Sequence, residues 1–260
     1  MFNLLFVGDI VGKPGRKVLK HKLPEIIERH NVNYVVANCE NSAGGKGVTT
    51  KTLDEVFNAG VDVVTGGNHF WDKKDQIPEI TANPSVIRPA NYGPAVLGKG
   101  FGIYTIEKFG LSIGVINLMG RVFIEIPLDC PFRKFDAIFD EIKNQCDIIL
   151  VDFHGEATSE KIAFGRYVDG RATMVFGTHT HVQTADEQVF PKGTAYISDA
   201  GMTGPKDSVI GVKVDGILKR FLTGLPIKHE VAEGNNTINA VLVSCKRKTF
   251  KVESILRINE

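Results

Sequence analysis

Phe2-Asn3-Leu4-Leu5-Phe6-Val7-Gly8-Asp9 is an apolar-rich run that ends on a carboxylate. A strand covered on one face alternates apolar and polar residues, whereas a nearly continuous apolar run belongs to a strand covered on both. Such strands build α/β sheets, whose chemistry gathers outside their carboxyl ends, so Asp9 is a candidate site residue. Gly12-Lys13-Pro14-Gly15 turns the chain, and Val18, Leu19, Leu23, Ile26 and Ile27 then recur at helical spacing. The pattern predicts a helix over residues 15–30 and completes a β-loop-α unit.

The same unit recurs outward from it. Residues 33–39 read as a strand that delivers Glu40 and Asn41 into Ser42-Ala43-Gly44-Gly45-Lys46-Gly47, a stretch too glycine-rich for regular structure. A helix over 49–58, capped by Thr49 or Thr50, leads to a strand over 61–65 and to Gly66-Gly67-Asn68-His69. Residues 147–153 form a further strand ending at His154-Gly155-Glu156, and 172–176 one that feeds Gly177-Thr178-His179-Thr180-His181. On an extended backbone residues i and i+2 point the same way, which places His179 and His181 to converge on one metal.

Between these strands residues 72–80 are weakly helical, and Pro78, Pro84, Pro89 and Pro94 predict an irregular crossing. Hairpins are expected over 101–107 with 111–118 and over 187–190 with 194–198, and helices over 133–144 and 157–169. A helix over 208–222 would turn Val209, Val212, Ile217, Leu218 and Phe221 inward, and strands over 227–232, 236–245 and 248–258 close the chain. With no internal repeat or low-complexity linker, residues 1–260 are expected to form one domain.

Composition excludes several classes. The four cysteines (Cys39, Cys130, Cys146 and Cys245) have no C-x-x-C spacing and read as reduced, buried thiols. A formal charge of +1 supplies no field for nucleic acid or a membrane surface, and Arg16, Lys17, Lys20 and Lys22 read as the wet face of a helix. The run from Phe2 to Val7 is too short to span a bilayer and lacks a basic leader, so a soluble, cytoplasmic protein is expected. His21, His30 and His229 read as surface residues.

Asp9, Glu40, Asn41, Asn68, His69, His154, His179 and His181 all fall at or just past the carboxyl end of a predicted strand. Taken singly, each has an ordinary reading as a cap, a turn residue or a hydrogen-bonded histidine. Together, carboxylate, amide oxygen and imidazole suit a pair of first-row ions such as iron, manganese or zinc, without the thiolates of a structural zinc site. Glu40 is the candidate to bridge such a pair, and paired ions roughly 3.5–4 Å apart serve in-line displacement at phosphorus.

In this order, Gly8-Asp9, Glu40-Asn41, Gly67-Asn68-His69, His154 and Gly177-Thr178-His179-Thr180-His181 resemble the motif set of the calcineurin-like metallophosphoesterases. The usual set has Asp-x-His at the first strand and Gly-Asp at the second. Here Val11 and Glu40 stand in those places, departures that, with Asn41, Gly44-Gly45-Lys46-Gly47 and Gly120-Arg121, are similar to the bacterial YmdB-like branch. The resemblance implies a four-layer α/β/β/α sandwich, two mixed sheets packed face to face with helices outside. It implies that Asp9, Glu40, Asn41 and His181 hold one ion, with the neutral Asn41 a weaker ligand than the histidine it replaces, and Glu40, Asn68, His154 and His179 the other. It further implies iron, with manganese or zinc as alternatives, a phosphodiester or cyclic-nucleotide substrate such as 2′,3′-cyclic AMP, attack by a metal-bridging hydroxide, and His69 as general acid. Relatives suggest a homodimer or homotetramer.

Arg121, Gly45 and Lys46 are candidate substrate contacts, with Lys206 a further cation and Phe70, Trp71 and Tyr92 available for stacking a base. The alternatives are a phosphomonoesterase or protein phosphatase on the same site, and a regulatory or RNA-linked role. A dinucleotide fingerprint across Gly8, Gly12 and Gly15 fails on spacing and leaves the histidines unexplained.

Overall fold

A computed structural model describes residues 1–260. In chain order its strands are β1 (Phe2–Val7), β2 (Asp9–Ile10), β3 (Tyr34–Asn38), β4 (Val63–Thr65), β5 (Phe101–Ile106), β6 (Leu111–Met119) and β7 (Ile148–His154). They continue as β8 (Met174–Thr178), β9 (Gln188–Val189), β10 (Ala195–Ile197), β11 (Met202–Pro205), β12 (Asn236–Thr237), β13 (Asn239–Cys245) and β14 (Val252–Asn259). The helices are α1 (Gly12–Arg29), α2 (Thr50–Phe57), α3 (Ile77–Ala82), α4 (Pro131–Ile142), α5 (Thr158–Tyr167) and α6 (Val214–Thr223).

One sheet runs β14-β13-β1-β3-β4 and the other β5-β6-β7-β8-β10-β9, each mixing parallel and antiparallel pairs. Alternation along β1 shows why its apolar run is continuous. Phe2, Leu4 and Phe6 meet Ile113, Leu150 and Phe176 of the other sheet, with the Phe6 and Phe176 rings stacked at 4.8 Å. Leu5 and Val7 instead pack under Leu19, Leu23 and Ile26 of α1 and Leu53 of α2. On the far side Ile149, Val151 and Phe153 of β7 do the same under α4 and α5. The result is the four-layer α/β/β/α sandwich, and each fully buried aliphatic or aromatic side chain in it contributes about 1.5–3 kcal/mol.

At the carboxyl ends the inter-sheet contact turns polar. The buried Asp152 carboxylate accepts from Asn38 Nδ2 at 3.0 Å, from the Thr65 hydroxyl and from Thr178 Oγ1 at 2.7 Å, joining β3 and β4 to β7 and β8. Burial pushes this carboxyl up to about 7, against the opposing pull of His154 and the two hydroxyls.

Four expectations need correction. The strand expected over 236–245 breaks at Ile238 into β12 and β13, and β12 joins a small ribbon, β12-β11-β2, that stands apart from both sheets; β2 and β11 are too short to show a period in the sequence. The helix expected from 208 begins at Val214. Val209 and Val212 exchange backbone hydrogen bonds around Ile210 and Gly211, both at positive φ, and two left-handed residues in succession cannot start a right-handed helix. Residues 227–232 form no strand beyond one bridge from Val231 to Val212. Of the apolar residues expected to face inward from this helix, Ile217 is buried, whereas Leu218 and Phe221 are exposed.

The excursion holding α6 leaves from Pro205 and returns at Asn236, which are paired across β11 and β12. Residues 206–235 therefore form a cap on the ribbon that carries Asp9. No helix is long and apolar enough to cross a membrane. All four cysteines are free, with Cys39 and Cys245 buried and Cys130 and Cys146 half-buried.

Candidate metal centre

The parallel strands end on one edge and deliver the candidate donors there. Glu40 Oε1 lies 3.2 Å from His154 Nε2, which also meets Asn68 Oδ1 at 2.9 Å and His179 Nδ1 at 3.0 Å. The ligand atoms of Glu40, His154 and His179 all fall within 4.8 Å of one another. Alongside, Asn41 Nδ2 reaches both Glu40 Oε1 at 3.3 Å and His181 Nε2 at 3.2 Å, and His181 Nε2 lies 3.9 Å from Asp9 Oδ1. The seven donors thus fall into two neighbouring groups that meet at Glu40.

Each imidazole is anchored from behind. His154 Nδ1 meets Thr178 Oγ1 at 3.0 Å; that hydroxyl donates to Asp152, so it accepts from the ring and turns Nε2 toward the cluster. His181 Nδ1 is held by the Ile210 carbonyl at 2.9 Å, and His179 Nε2 by the Glu156 carboxylate at 3.0 Å. Outer partners of this kind fix tautomer and ring orientation at metal sites.

The two histidines of the His179-Thr180-His181 stretch converge differently from the strand alternation expected of them. β8 stops at Thr178, and His179 and His181 sit at positive φ, 98° and 65°. Non-glycine residues hold this conformation only where surroundings impose it. Here Asp199 does so, accepting from Thr180 N at 3.0 Å and Thr180 Oγ1 at 2.6 Å, while its charge is matched by the buried Lys161 Nζ at 2.8 Å. His179 N–H donates to Asp9 Oδ2 at 3.2 Å. The turn sends one imidazole to each donor group.

The charges bear on one another strongly. Burial alone would raise Glu40, but the charge and hydrogen bond of His154, then His69, hold it well below the usual carboxylate range. Burial works against a charge on His154, yet Glu40, Asp9 and Asp152 outweigh it and push that imidazole up to about 9. Burial and the neighbouring His154 push His179 down to about 3.

Two observations test the site for a cation. Asp9 is fully buried, and its Oδ1, facing the cluster, has no hydrogen-bond partner. A Cβ at Gly67 would sit 2.3 Å from His154 Nε2 and 2.4 Å from Glu40 Oε2, so the chain passes the donors at a distance only glycine allows. With two carboxylates, amides and three imidazoles, the residues fit a divalent first-row metal.

Of these groups Glu40, Asn41, His179 and His181 floor a cavity of about 440 Å³, with Asp9, Asn68 and His154 behind them. His69 lines it, its backbone N–H donating to Glu40 Oε2 at 2.9 Å and its Nδ1 3.0 Å from Asp72 Oδ2. Gly45 and Lys46 line it as well. Arg121 does not; it is exposed, with its backbone N–H on the Glu160 carboxylate. Lys206 also lies outside the lining, and so do the expected stacking residues: Phe70 is buried in the core, with Trp71 edge-on to it and to Tyr92. Sequence reasoning misses Asp72, Glu156, Lys161 and Asp199, for which the only hint is a carboxylate two or three residues beyond a histidine, at Glu156 and Asp72.

Sandwich and floor together define the metallophosphoesterase class, phosphoric ester hydrolases that work with divalent metal. A family profile described as "YmdB-like protein" matches residues 5–258, and the chain belongs to that family. It is 46% identical over 256 residues to the "2',3'-cyclic-nucleotide 2'-phosphodiesterase" of Bacillus subtilis (strain 168), covering 98% of this chain and 96% of the relative. Among solved structures it is similar to a protein of Thermus thermophilus described as hypothetical (TM-score 0.93, 40% identity, 100% and 99% coverage). It is also similar to one from Mycoplasma pneumoniae described as a novel phosphatase (TM-score 0.94, 34% identity, 100% and 93% coverage).

Proposed function

We propose that this chain hydrolyses phosphodiesters of the cyclic-nucleotide type, such as 2′,3′-cyclic AMP, at a dinuclear metal centre. The carrying observation is the floor, where two donor groups share Glu40 and three imidazoles are each anchored from outside. Asp9, Glu40, Asn41 and His181 would hold one ion, and Glu40, Asn68, His154 and His179 the other. Bound metal supplies charge to the phosphate oxygens and lowers the pKa of water from 15.7 to about 7. The name of the Bacillus relative supports a diester substrate.

In the reaction, water adds a hydroxyl to phosphorus and the P–O bond to a ribose oxygen breaks. His69 gives that oxygen its proton, and the proton that water leaves behind restores His69. The contact of Nδ1 with Asp72 leaves Nε2 as the nitrogen to face the leaving group, and the Glu40 hydrogen bond to the His69 backbone fixes the ring's attachment beside the floor. Gly45 and Lys46 are the substrate contacts in this reading.

The family resemblance supports the remaining elements: iron as native metal, one unit over residues 1–260, a homodimer or homotetramer, and a cytoplasmic setting. Metal analysis and light scattering of anaerobically purified protein check the first and third. The function is tested by a panel of 2′,3′- and 3′,5′-cyclic nucleotides against phosphomonoesters. Turnover of cyclic nucleotides is expected to lead; turnover of monoesters alone would overturn the reading in favour of a phosphomonoesterase.

A further inference from the structure

The cavity has a second wall that the chemistry above does not use. It belongs to the cap of residues 206–235 and consists of Ile210, Ile217, Phe221 and Val231, with Arg220 and His229 among them. Val231 wedges this wall against the Gly44-Gly45 loop and the start of α1: a Cβ at Gly45 would meet it at 2.7 Å and one at Gly12 at 3.1 Å. The cap is tied to itself by Lys213 N–H on the Glu230 carbonyl and Ala232 N–H on the Gly211 carbonyl, both at 2.9 Å.

Phe221 is 79% exposed although it lines the cavity, so its ring contributes little to the core and offers a free apolar face. Arg220 Nη1 donates to His229 Nε2 at 3.1 Å and has no carboxylate partner. Gly44 and Gly45, at φ 72° and 94°, present bare backbone to the same space. An alkyl group on this wall would leave the guanidinium donors that His229 does not take without partners, at a cost. A flat heterocycle would meet both kinds of surface, its face on the apolar side chains and its edge on the polar ones. The volume suits a small ligand rather than a protein segment.

We propose that the cap wall of Ile217, Arg220, Phe221 and Val231 is a nucleobase subsite, so that the substrate is a nucleoside phosphodiester held by its base at the cap and its phosphate at the floor. The inference rests on the phosphodiesterase reading and deepens it. Phe221 supplies the stacking face and Arg220 the edge contact, and the cap is the part of the chain that sets substrate class.

The test compares adenosine 2′,3′-cyclic phosphate with ribose 2′,3′-cyclic phosphate, which lacks the base, on the metal-loaded full chain. Wild type should favour the adenosine substrate in kcat/KM. Phe221→Ala should lower that preference about tenfold, chiefly through KM, as loss of one stacked base predicts. Arg220→Ala should lower it less. Leu222→Ala, on the same helix but outside the cavity lining, is the control and should leave the preference in place. A wild-type preference near one, or equal loss on both substrates in Phe221→Ala, overturns the subsite. Turnover of neither substrate by wild type overturns the phosphodiesterase reading instead. Calorimetry with adenosine 3′-phosphate then decides the subsite, which stands if Phe221→Ala weakens binding and falls if it does not.

Discussion

The floor and the cap face each other across one cavity and are built in opposite ways. Floor side chains are buried or half-buried at strand ends, each imidazole held from behind by a hydroxyl, a carbonyl or a carboxylate. Cap side chains stand on a short helix in the open, with Ile217 as the buried residue of α6. Chemistry that needs donors fixed to a fraction of an ångström is placed where packing supplies rigidity, while recognition of an organic group is left to a surface that tolerates change.

If that contrast holds, substitutions should fall in magnitude from floor to cap. His179→Ala and His181→Ala should each remove a different ion and lower turnover on the order of 10³-fold, a loss of several kcal/mol of charge stabilisation. Metal counting by mass spectrometry checks this, and depletion of one and the same ion by both variants would show a mononuclear site. His69→Ala should retain metal and lose about 10²–10⁴-fold on substrates with poor leaving groups, with nitrophenyl esters spared more. Equal losses on both kinds of ester would remove the general acid from His69.

Behind the floor, Lys161→Met strands the Asp199 carboxylate in the interior, and about 3–5 kcal/mol of stability should go with it. Denaturant melts should show that Lys161→Met with Asp199→Asn recovers part of the loss; no recovery would mean that the pair is not coupled. Thr178→Val removes the hydroxyl between His154 and Asp152 and should weaken metal binding about 10–100-fold. An unchanged affinity would free His154 from that support. Phe221→Ala lies at the bottom of the series, altering substrate preference rather than the reaction.

The floor is legible in the sequence and the cap is not, for a physical reason. A strand covered on both faces writes itself as an apolar run, and whatever follows it lands on the carboxyl edge, so Asp9, Glu40, Asn68, His154 and His179 can be placed one strand at a time. Apolar spacing along residues 208–222 says that some face is apolar but not what covers it. Phe221 and Leu218 therefore pass for core residues. The outer supports are hidden because Thr178 with Asp152, Lys161 with Asp199, and His181 with Ile210 join segments brought together only by the fold. The turn that parts His179 from His181 is hidden too, since its positive φ values are imposed by Asp199 rather than by local sequence.

Pro205 and Asn236 face each other at the base of the cap, with Lys206 N–H donating to the Asn235 carbonyl at 2.8 Å. The excursion between them is thus a module plugged into a hairpin, and joining its ends by a tight turn would preserve every strand register of both sheets. Descent with modification has in this hairpin a place where length and composition can drift while Asp9, Glu40, His154 and His179 stay put, and only the Ile210 carbonyl behind His181 ties the loop to the floor, so one hydrolytic engine is open to refitting for new esters by exchange of a single loop.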